Sequence, residues 1–414
     1  MKRIVILGGG TGGTLVANRL RRALSEDDAS IVVIDRDDRH VYQPGLLFVP
    51  FGMAHAEDIV RPRGKQLRRG IELRVSEIES VDLETDLVVL ADGSRLAYDV
   101  LVVATGTELQ PGETEGLLGP GWNERVFTFY DVDGATALGE ALECFEGGRL
   151  VVNVVDMPIK CPVAPLELAF LADWHLRERG LRSKTEITFV TPLDGAFTKP
   201  VAAAHLGTLL EEKGIALETE FATGEVDGEG GRLVSWDERE VPFDLLVTIP
   251  LHGGAGYVER SPGLGADLGF VQTDPHTLQA AAKPNVFALG DATSLPTSKA
   301  GSVTHFEGDV LVGNILRHLA GEPLEGTYDG HANCFVETGF GKALLIDFNY
   351  ETEPLPGHFP TAHGPLPLLK ESRLNHLGKL MFQWVYWHVL LPGREIPGIP
   401  TTMQTAGKEP APST

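Results

Sequence analysis

At 414 residues the chain is too long for a single hydrophobic core and points to two or three domains. A hydrophobic fraction of 43%, with 48 glycines and 27 prolines, fits an α/β protein rich in tight turns and excludes a disordered or fibrous chain. The formal charge of −23 argues against a nucleic-acid partner, because phosphate binding needs a basic face. Three cysteines, Cys144, Cys161 and Cys334, occur with no CxxC and no Cys/His spacing of zinc type, so neither a disulfide scaffold nor a metal site is indicated.

In chain order, residues 2–7 form an apolar strand that enters the turn GGGTGG at 8–13, and 14–24 continue as a helix. A start this direct leaves no room for a signal peptide, so synthesis in the cytoplasm is expected. The strand 30–34 ends at Asp35. Strand, glycine turn, helix and an acidic residue some 20 positions on form the fingerprint of a dinucleotide site. Residues 71–89 and 95–104 alternate as strands around the hairpin signal Asp92-Gly93, and the last leads into Thr105-Gly106. Cys144 lies in a helical context and is expected in the core.

A second strand–helix set covers 149–249. Its first turn, between a strand at 150–155 and a helix at 165–177, reads DMPIKCP and has no glycine. Backbone cannot approach a pyrophosphate there. The turn offers a thiol instead, Cys161, just ahead of a helix whose positive end favours thiolate; a small buried turn residue is the competing reading. Another buried strand, 285–292, ends in Gly290-Asp291 before a helix expected from Lys299. From Glu322 the character changes to a C-terminal module. Its segment 373–391 places Leu374, Leu377, Met381, Trp384 and Val385 at helical spacing, interrupted by His376, Lys379, Gln383 and His388. It reads as an amphipathic interfacial helix that serves access rather than cofactor binding, and no run long enough to span a membrane occurs. The polar tail after Thr401 reads as disordered.

The glycine turn, VVATG (102–106) and GD (290–291) together resemble the flavoproteins with two dinucleotide-binding domains, typified by glutathione reductase. HVYQPGLLFVPFG (40–52), the strand leading to Cys161, GDATSLPTSKAG (290–301) and Cys334 in NCFVETG narrow the resemblance to the sulfide:quinone oxidoreductase family, and more distantly to the flavoprotein subunit of flavocytochrome c sulfide dehydrogenase. The implied fold is α/β, with two Rossmann-like domains and a C-terminal module carrying a membrane-interface helix. The boundaries are 1–115 with 270–321 for the FAD domain, 116–269 for the second domain and 322–414 for the module.

By that resemblance FAD meets Gly8, Gly10 and Gly13 at its pyrophosphate, Asp35 at the ribose, Thr105 and Gly106 at the ATG turn, and Gly290 and Asp291 at the ribityl chain. Cys161 and Cys334 handle sulfur, Glu167 shuttles protons and Lys299 stabilises the reduced flavin. For Glu167 a carboxylate that merely suits the first helical turn is an equal alternative. Sulfide, membrane quinone and the membrane surface are the implied partners, and self-association into a homo-oligomer is compatible with the resemblance. FAD is expected to be non-covalent, since 40–52 and 125–133 contain no cysteine. Phe335, Phe340 and Phe348 are candidates for a quinone pocket, with packing their commoner role; His305 reads as a satisfied helical histidine. Three other readings compete. A type II NADH:quinone oxidoreductase needs the missing glycine turn, a cytochrome-linked sulfide dehydrogenase needs a separate haem subunit because no CxxCH occurs, and a flavin-binding redox sensor would not turn over.

Overall fold

The computed structural model describes residues 1–396 and 398–409. The chain begins with β1 (Lys2–Leu7), α1 (Thr11–Ala23), β2 (Ala29–Asp35), β3 (Ile71–Val75) and β4 (Val100–Val103). It continues through β5 (Val126–Phe127), α2 (Val132–Cys144), β6 (Gly148–Val154), α3 (Ala164–Glu178), β7 (Thr185–Val190), α4 (Pro200–Glu212), β8 (Ile215–Glu218) and β9 (Leu245–Ile249). The single turn α5 (Gly256–Glu259) leads to β10 (Val286–Ala288) and α6 (Gly301–Ala320). A hairpin, β11 (Ala332–Gly339) and β12 (Lys342–Phe348), and α7 (Arg373–Val385) follow.

Two parallel sheets organise the molecule, in the orders β10-β4-β1-β2-β3 and β5-β9-β6-β7-β8. A parallel sheet is covered on both faces, which is why β1 reads as an unbroken apolar run and Ile4, Val5, Ile6 and Leu7 are all fully buried. In each sheet the chain leaves the central strand, β1 or β6, toward one neighbour and returns on the other side. The turns after β1 and β6 therefore occupy equivalent switch points, where ligands of such folds bind. GGGTGG fills one and DMPIKC the other. The glycines are taken into the first turn of α1, so the helix starts at Thr11 rather than at 14, and α6 starts at Gly301 rather than at 299.

The C-terminal module is a hairpin with a helix laid on it. β11 and β12 are joined by Phe340-Gly341, both at positive φ (57° and 66°), the geometry that matches the twist of two strands. Ser372 caps α7 by accepting the Asn375 N–H. The amphipathicity of α7 is inverted. Asn375 and Lys379 face inward and are buried, while Met381 and Trp384 are 63% and 60% exposed, in a row with Leu374, Leu377 and Leu380. No helix among the described residues is long and apolar enough to cross a membrane.

Two expectations for this region are overturned. α7 does not run to Leu391: it gives way to a π-turn, Tyr386–Leu390, that drives Tyr386, Trp387 and Leu390 into the core. The Tyr386 hydroxyl bonds Thr11 Oγ1 and His40 Nε2, each at 2.7 Å, and Asn18 Nδ2 donates to the Leu391 carbonyl at 2.6 Å. His40 Nδ1 donates to the Gly9 carbonyl (3.1 Å), and burial drops its pKa to about 3, so the ring stays neutral and its Nε2 accepts from Tyr386. The segment is thus bound to the glycine turn and is not an appendage serving access alone. The tail after Thr401 is also placed through residue 409. Met403 N–H donates to Asp329 (3.0 Å), and Lys408 forms an ion pair with Asp347, both side chains almost fully buried. Composition hid this, because one buried pair decides it; residues 410–414 of the expected tail lie outside the described residues.

A chain ending at Ser372 should accordingly fail to hold its nucleotide cofactor. Stripping several buried large side chains, at roughly 2–5 kcal/mol each, exceeds the ~5–15 kcal/mol that stabilises a domain. A soluble truncated protein that melts like the parent and keeps its cofactor would refute this.

Candidate active site

At the first switch point the glycines are sterically required. Gly8 lies at φ +90°, and a Cβ on Gly13 would sit 1.8 Å from the Gly8 carbonyl oxygen. A Cβ on Gly10 would meet nothing within 4 Å, so this side of the turn is open. α1 has no acidic residue in its first turn and no side-chain cap, leaving its first N–H groups free for an anion. Asp35 Oδ2 accepts the Gly9 N–H (2.7 Å) and pairs with Arg63 (2.9 Å), which leaves Oδ1 for ribose hydroxyls. Thr105 Oγ1 bonds the Tyr257 hydroxyl (3.2 Å), and Gly106 and Gly290 both take positive φ. These residues fit an extended dinucleotide.

The second switch point faces the same region. Cys161 is one of few non-glycine residues at positive φ (48°), and its N–H donates to the Lys299 carbonyl at 2.6 Å. Lys299 is buried rather than solvated: its ammonium donates to the carbonyls of Asp291 (2.9 Å) and Thr293 (2.7 Å) and lies 4.1 Å from the Phe270 ring centre. One lysine therefore ties the Gly290-Asp291 turn to the Cys161 loop. Burial raises the Asp291 carboxyl, with Lys299 and Lys160 opposing. The Tyr130 hydroxyl donates to the Cys161 carbonyl (3.2 Å), and Lys160 donates to the Tyr130 carbonyl (3.1 Å).

Cys334 comes from β11, which packs on α3, and both thiols are free. The expected thiolate at Cys161 is not favoured. Burial pushes its thiol up to about 12, the Glu167 charge adds to this and Lys379 only partly opposes it. Cys334 is raised by burial first, and ionising it beside Cys161 and the Glu167 carboxylate is disfavoured further. The positive end of α3 lies three residues on and is outweighed by desolvation.

Glu167, in the first turn of α3, is 2% exposed. Its Oε1 accepts the Glu337 N–H at 2.6 Å and pairs with Lys379 of α7. The Glu337 carboxylate in turn holds His376 Nδ1 at 2.9 and 3.0 Å.

Residues 2–152 match the family described as pyridine nucleotide-disulphide oxidoreductase. The chain is 29% identical over 397 residues to the mitochondrial sulfide:quinone oxidoreductase of Dictyostelium discoideum, covering 95% of this chain and 86% of the relative. Against the corresponding protein of Mus musculus it is 26% identical over 397 residues, covering 94% and 86%. The solved structure of the sulfide:quinone oxidoreductase from Aquifex aeolicus superposes with a TM-score of 0.80 at 21% identity, over 95% of this chain and 92% of that one. This chain is a relative of the sulfide:quinone oxidoreductases. The expected α/β class with two Rossmann-like units holds.

Against that likeness, sequence reading missed Arg63, Glu337, His376 and Lys379. His376 and Lys379 were read as interruptions of an apolar helix, although their i, i+3 spacing, with Asn375 at i, i+4 to Lys379, already puts them on one face. Cys144, expected in the core, is exposed, because the buried face of α2 runs through Leu138 and Leu142 and the next residues turn outward. Phe348 is buried and Phe340 is 43% exposed in the hairpin turn, whereas Phe335 packs under α7 beside Gly378. His305 is buried against Arg19, as a satisfied histidine would be.

Glu307 of α6 accepts the Gly290 N–H at 2.5 Å behind the GD turn. Burial, with a smaller push from Asp291, raises its carboxyl from 4.5 to about 7 against the Gly290 bond. The folded pKa lies above the unfolded one, so the folded state binds this proton more tightly. Its stabilisation is complete below the unfolded value and is lost as pH rises through about 7. The difference corresponds to about 3 kcal/mol. In thermal melts taken between about pH 5 and pH 8, Glu307→Gln should remove that part of the fall in stability; a Gln variant with the parent's pH dependence would contradict it.

Proposed function

We propose that this chain is a sulfide:quinone oxidoreductase: it oxidises sulfide at a Cys161/Cys334 redox pair and passes two electrons through FAD to a membrane quinone. The observation that carries the reading is the substitution at the second switch point, where a cysteine loop tied to the GD turn stands in place of a phosphate-binding glycine turn. The likeness to relatives of that name over nearly the whole chain supports it. The NADH-dependent alternative finds no glycines at 156–162. The division into an FAD domain (1–115, 270–321), a second domain (116–269) and a C-terminal module belongs to the same reading.

FAD, when bound, supplies the two-electron carrier. Gly8, Gly10 and Gly13 would hold its pyrophosphate, Asp35 its ribose, Thr105, Gly106 and Gly290 the turns along it, and Asp291 the ribityl chain. With no cysteine in 40–52 or 125–133, the cofactor is held without a covalent bond. In the oxidised enzyme Cys161 and Cys334 form a disulfide. Hydrosulfide attacks one sulfur, the S–S bond breaks, and a persulfide and a thiol result. Because burial disfavours the thiolate, a base is needed beside the pair, and Glu167, whose charge acts on both thiols, takes that proton in this reading. Lys299 supplies a fixed positive charge where negative charge develops on reduction. The exposed apolar row of α7 rests on a membrane surface, which makes the enzyme a peripheral membrane protein and gives it access to lipid-soluble quinone.

Under anaerobic titration sulfide should bleach the flavin and NADH should not, and acid precipitation should release the colour. Cys161→Ser or Cys334→Ser should keep the flavin and slow bleaching by about 100-fold or more, because a hydroxyl cannot form the persulfide. Bleaching of Cys161→Ser at the parent rate would defeat the reading.

The double variant Met381→Glu, Trp384→Glu should bleach with sulfide as the parent does but lose binding to lipid vesicles by about 100-fold or more, since each side chain contributes roughly 1.5–3 kcal/mol on burial. Unchanged vesicle binding would remove α7 as the anchor.

A further inference from the structure

The two cysteines come from different parts of the fold, yet one short segment touches both. Residues 297–302 lead from the loop after the Gly290-Asp291 turn into the first turn of α6. On one side the Lys299 carbonyl takes the Cys161 N–H (2.6 Å), and Lys299 and Lys160 pair as parallel strands do. On the other, Thr297 Oγ1 donates to the Gly330 carbonyl (3.2 Å) and Ser302 Oγ to the Asn333 carbonyl (2.5 Å), which stitches the segment to the chain just ahead of Cys334. Between these two stitches lies Ser298. Its side chain is buried and hydrogen-bonds the Cys334 sulfur.

That contact matters because of what else surrounds the sulfur. Cys334 is 7% exposed, and burial, then Cys161 and the Glu167 carboxylate, all disfavour a negative charge on it. Two groups oppose them, the Lys379 ammonium and the Ser298 side chain. Lys379 acts as a charge, its own bonds going to Glu167 and the Phe335 carbonyl. Ser298 acts through a bond. A neutral thiol can donate to a hydroxyl or accept from it, but once the S–H proton is gone the sulfur only accepts, and the hydroxyl must supply the hydrogen. A hydrogen bond to a charged acceptor is roughly twice as strong as one between neutral groups, so the contact favours the thiolate over the thiol.

We propose that the Ser298 hydroxyl donates to the Cys334 sulfur whenever an electron pair is left on it, and so makes Cys334 a leaving group in a pocket that otherwise rejects an anion. The role rests on the function proposed above. When hydrosulfide opens the Cys161–Cys334 disulfide, a new S–S bond forms at the sulfur attacked, and the electron pair of the broken bond goes to the other sulfur. If Cys161 is attacked, that other sulfur is Cys334. If Cys334 is attacked it becomes the persulfide, and a second hydrosulfide then takes the outer sulfur: HSSH leaves, and the pair of the broken S–S bond stays on Cys334. Cys334 thus carries the charge in either order, before the two sulfurs rejoin by giving two electrons to FAD.

The test uses the flavin-loaded full chain with Cys144 and Cys161 both replaced by serine, so that Cys334 is the only thiol. Inorganic polysulfide should load Cys334 with sulfur, seen by intact mass after gel filtration. Cyanide should then take the outer sulfur as thiocyanate and leave the Cys334 thiolate, a departure that is read without turnover of the flavin. Ser298→Ala should slow thiocyanate release by about 10-fold, the weight of one hydrogen bond to a charged group, and Ser298→Thr should restore it. Failure of Cys334 to take up sulfur, release from Ser298→Ala at the unsubstituted rate, or a Thr variant as slow as the Ala variant overturns the role of Ser298. If Ser298→Ala slows thiocyanate release but sulfide does not bleach the flavin of the parent, the sulfide reading falls and the Ser298 bond stands.

Discussion

The hydrogen bond from the Cys161 N–H to the Lys299 carbonyl is where the two halves of the molecule are made into one site. Cys161 follows the central strand of the second sheet, and Lys299 follows the last strand of the first. The bond is short, 2.6 Å, and the Lys299 ammonium is itself fixed on the carbonyls of Asp291 and Thr293. Those carbonyls sit on the turn that the dinucleotide fold offers to its cofactor, so the Cys161 loop and the Gly290-Asp291 turn are joined through one residue. A residue at φ +48° that is neither glycine nor asparagine is strained by about 1–3 kcal/mol. The surrounding bonds hold Cys161 in that conformation.

α7 shows a second constraint, the reverse of the usual surface helix. A helix on a globular core buries its apolar stripe; this one buries Asn375, Lys379 and part of His376 and turns Leu377, Met381 and Trp384 outward. Such an arrangement survives only where the inward polar groups are paired and where something else covers the outward row. The first condition is met for Lys379 and His376 by Glu167 and Glu337 and for the Asn375 amide N–H groups by the Pro367 and Lys370 carbonyls, while the Asn375 Oδ1 is left without a partner. The π-turn that follows changes the rotation of the chain, so that Tyr386 and Trp387 are aimed back into the core against His40 and Tyr42.

Much of this was legible in the sequence where one local rule decided the structure. The glycine turn, Asp35, the Asp92-Gly93 hairpin and the missing second glycine turn were readable because steric demands there admit few residues. Legibility failed where long-range partners decide. Lys379 looks like a blemish in an apolar helix until Glu167, some two hundred positions away, is placed against it. Lys408 looks like part of a solvated tail until Asp347 meets it. A helical wheel reports spacing but not which face is buried, so the same pattern fitted a helix that packs its apolar side inward and one that packs it outward. The π-turn was invisible for a related reason: one extra residue per turn leaves no compositional mark.

The thiol pair shows two physical effects of opposite sign meeting at one atom. A helix N-terminus lowers a thiol's pKa only when the sulfur faces the free N–H groups, and its benefit fades within a turn. Cys161 lies before α3, with its carbonyl engaged by the Ala164 N–H and the Tyr130 hydroxyl, so the sulfur gains little from that helix. Burial and the neighbouring Glu167 carboxylate then prevail, and the resting thiols are neutral. A neutral, buried thiol is a poor nucleophile but a well-protected one. Chemistry in such a pocket has to begin with an anionic reagent from outside attacking an oxidised pair, or with a base that removes the proton first. Both routes put weight on the charge state of Glu167, and therefore on Lys379, the residue that sequence reading had counted as an interruption.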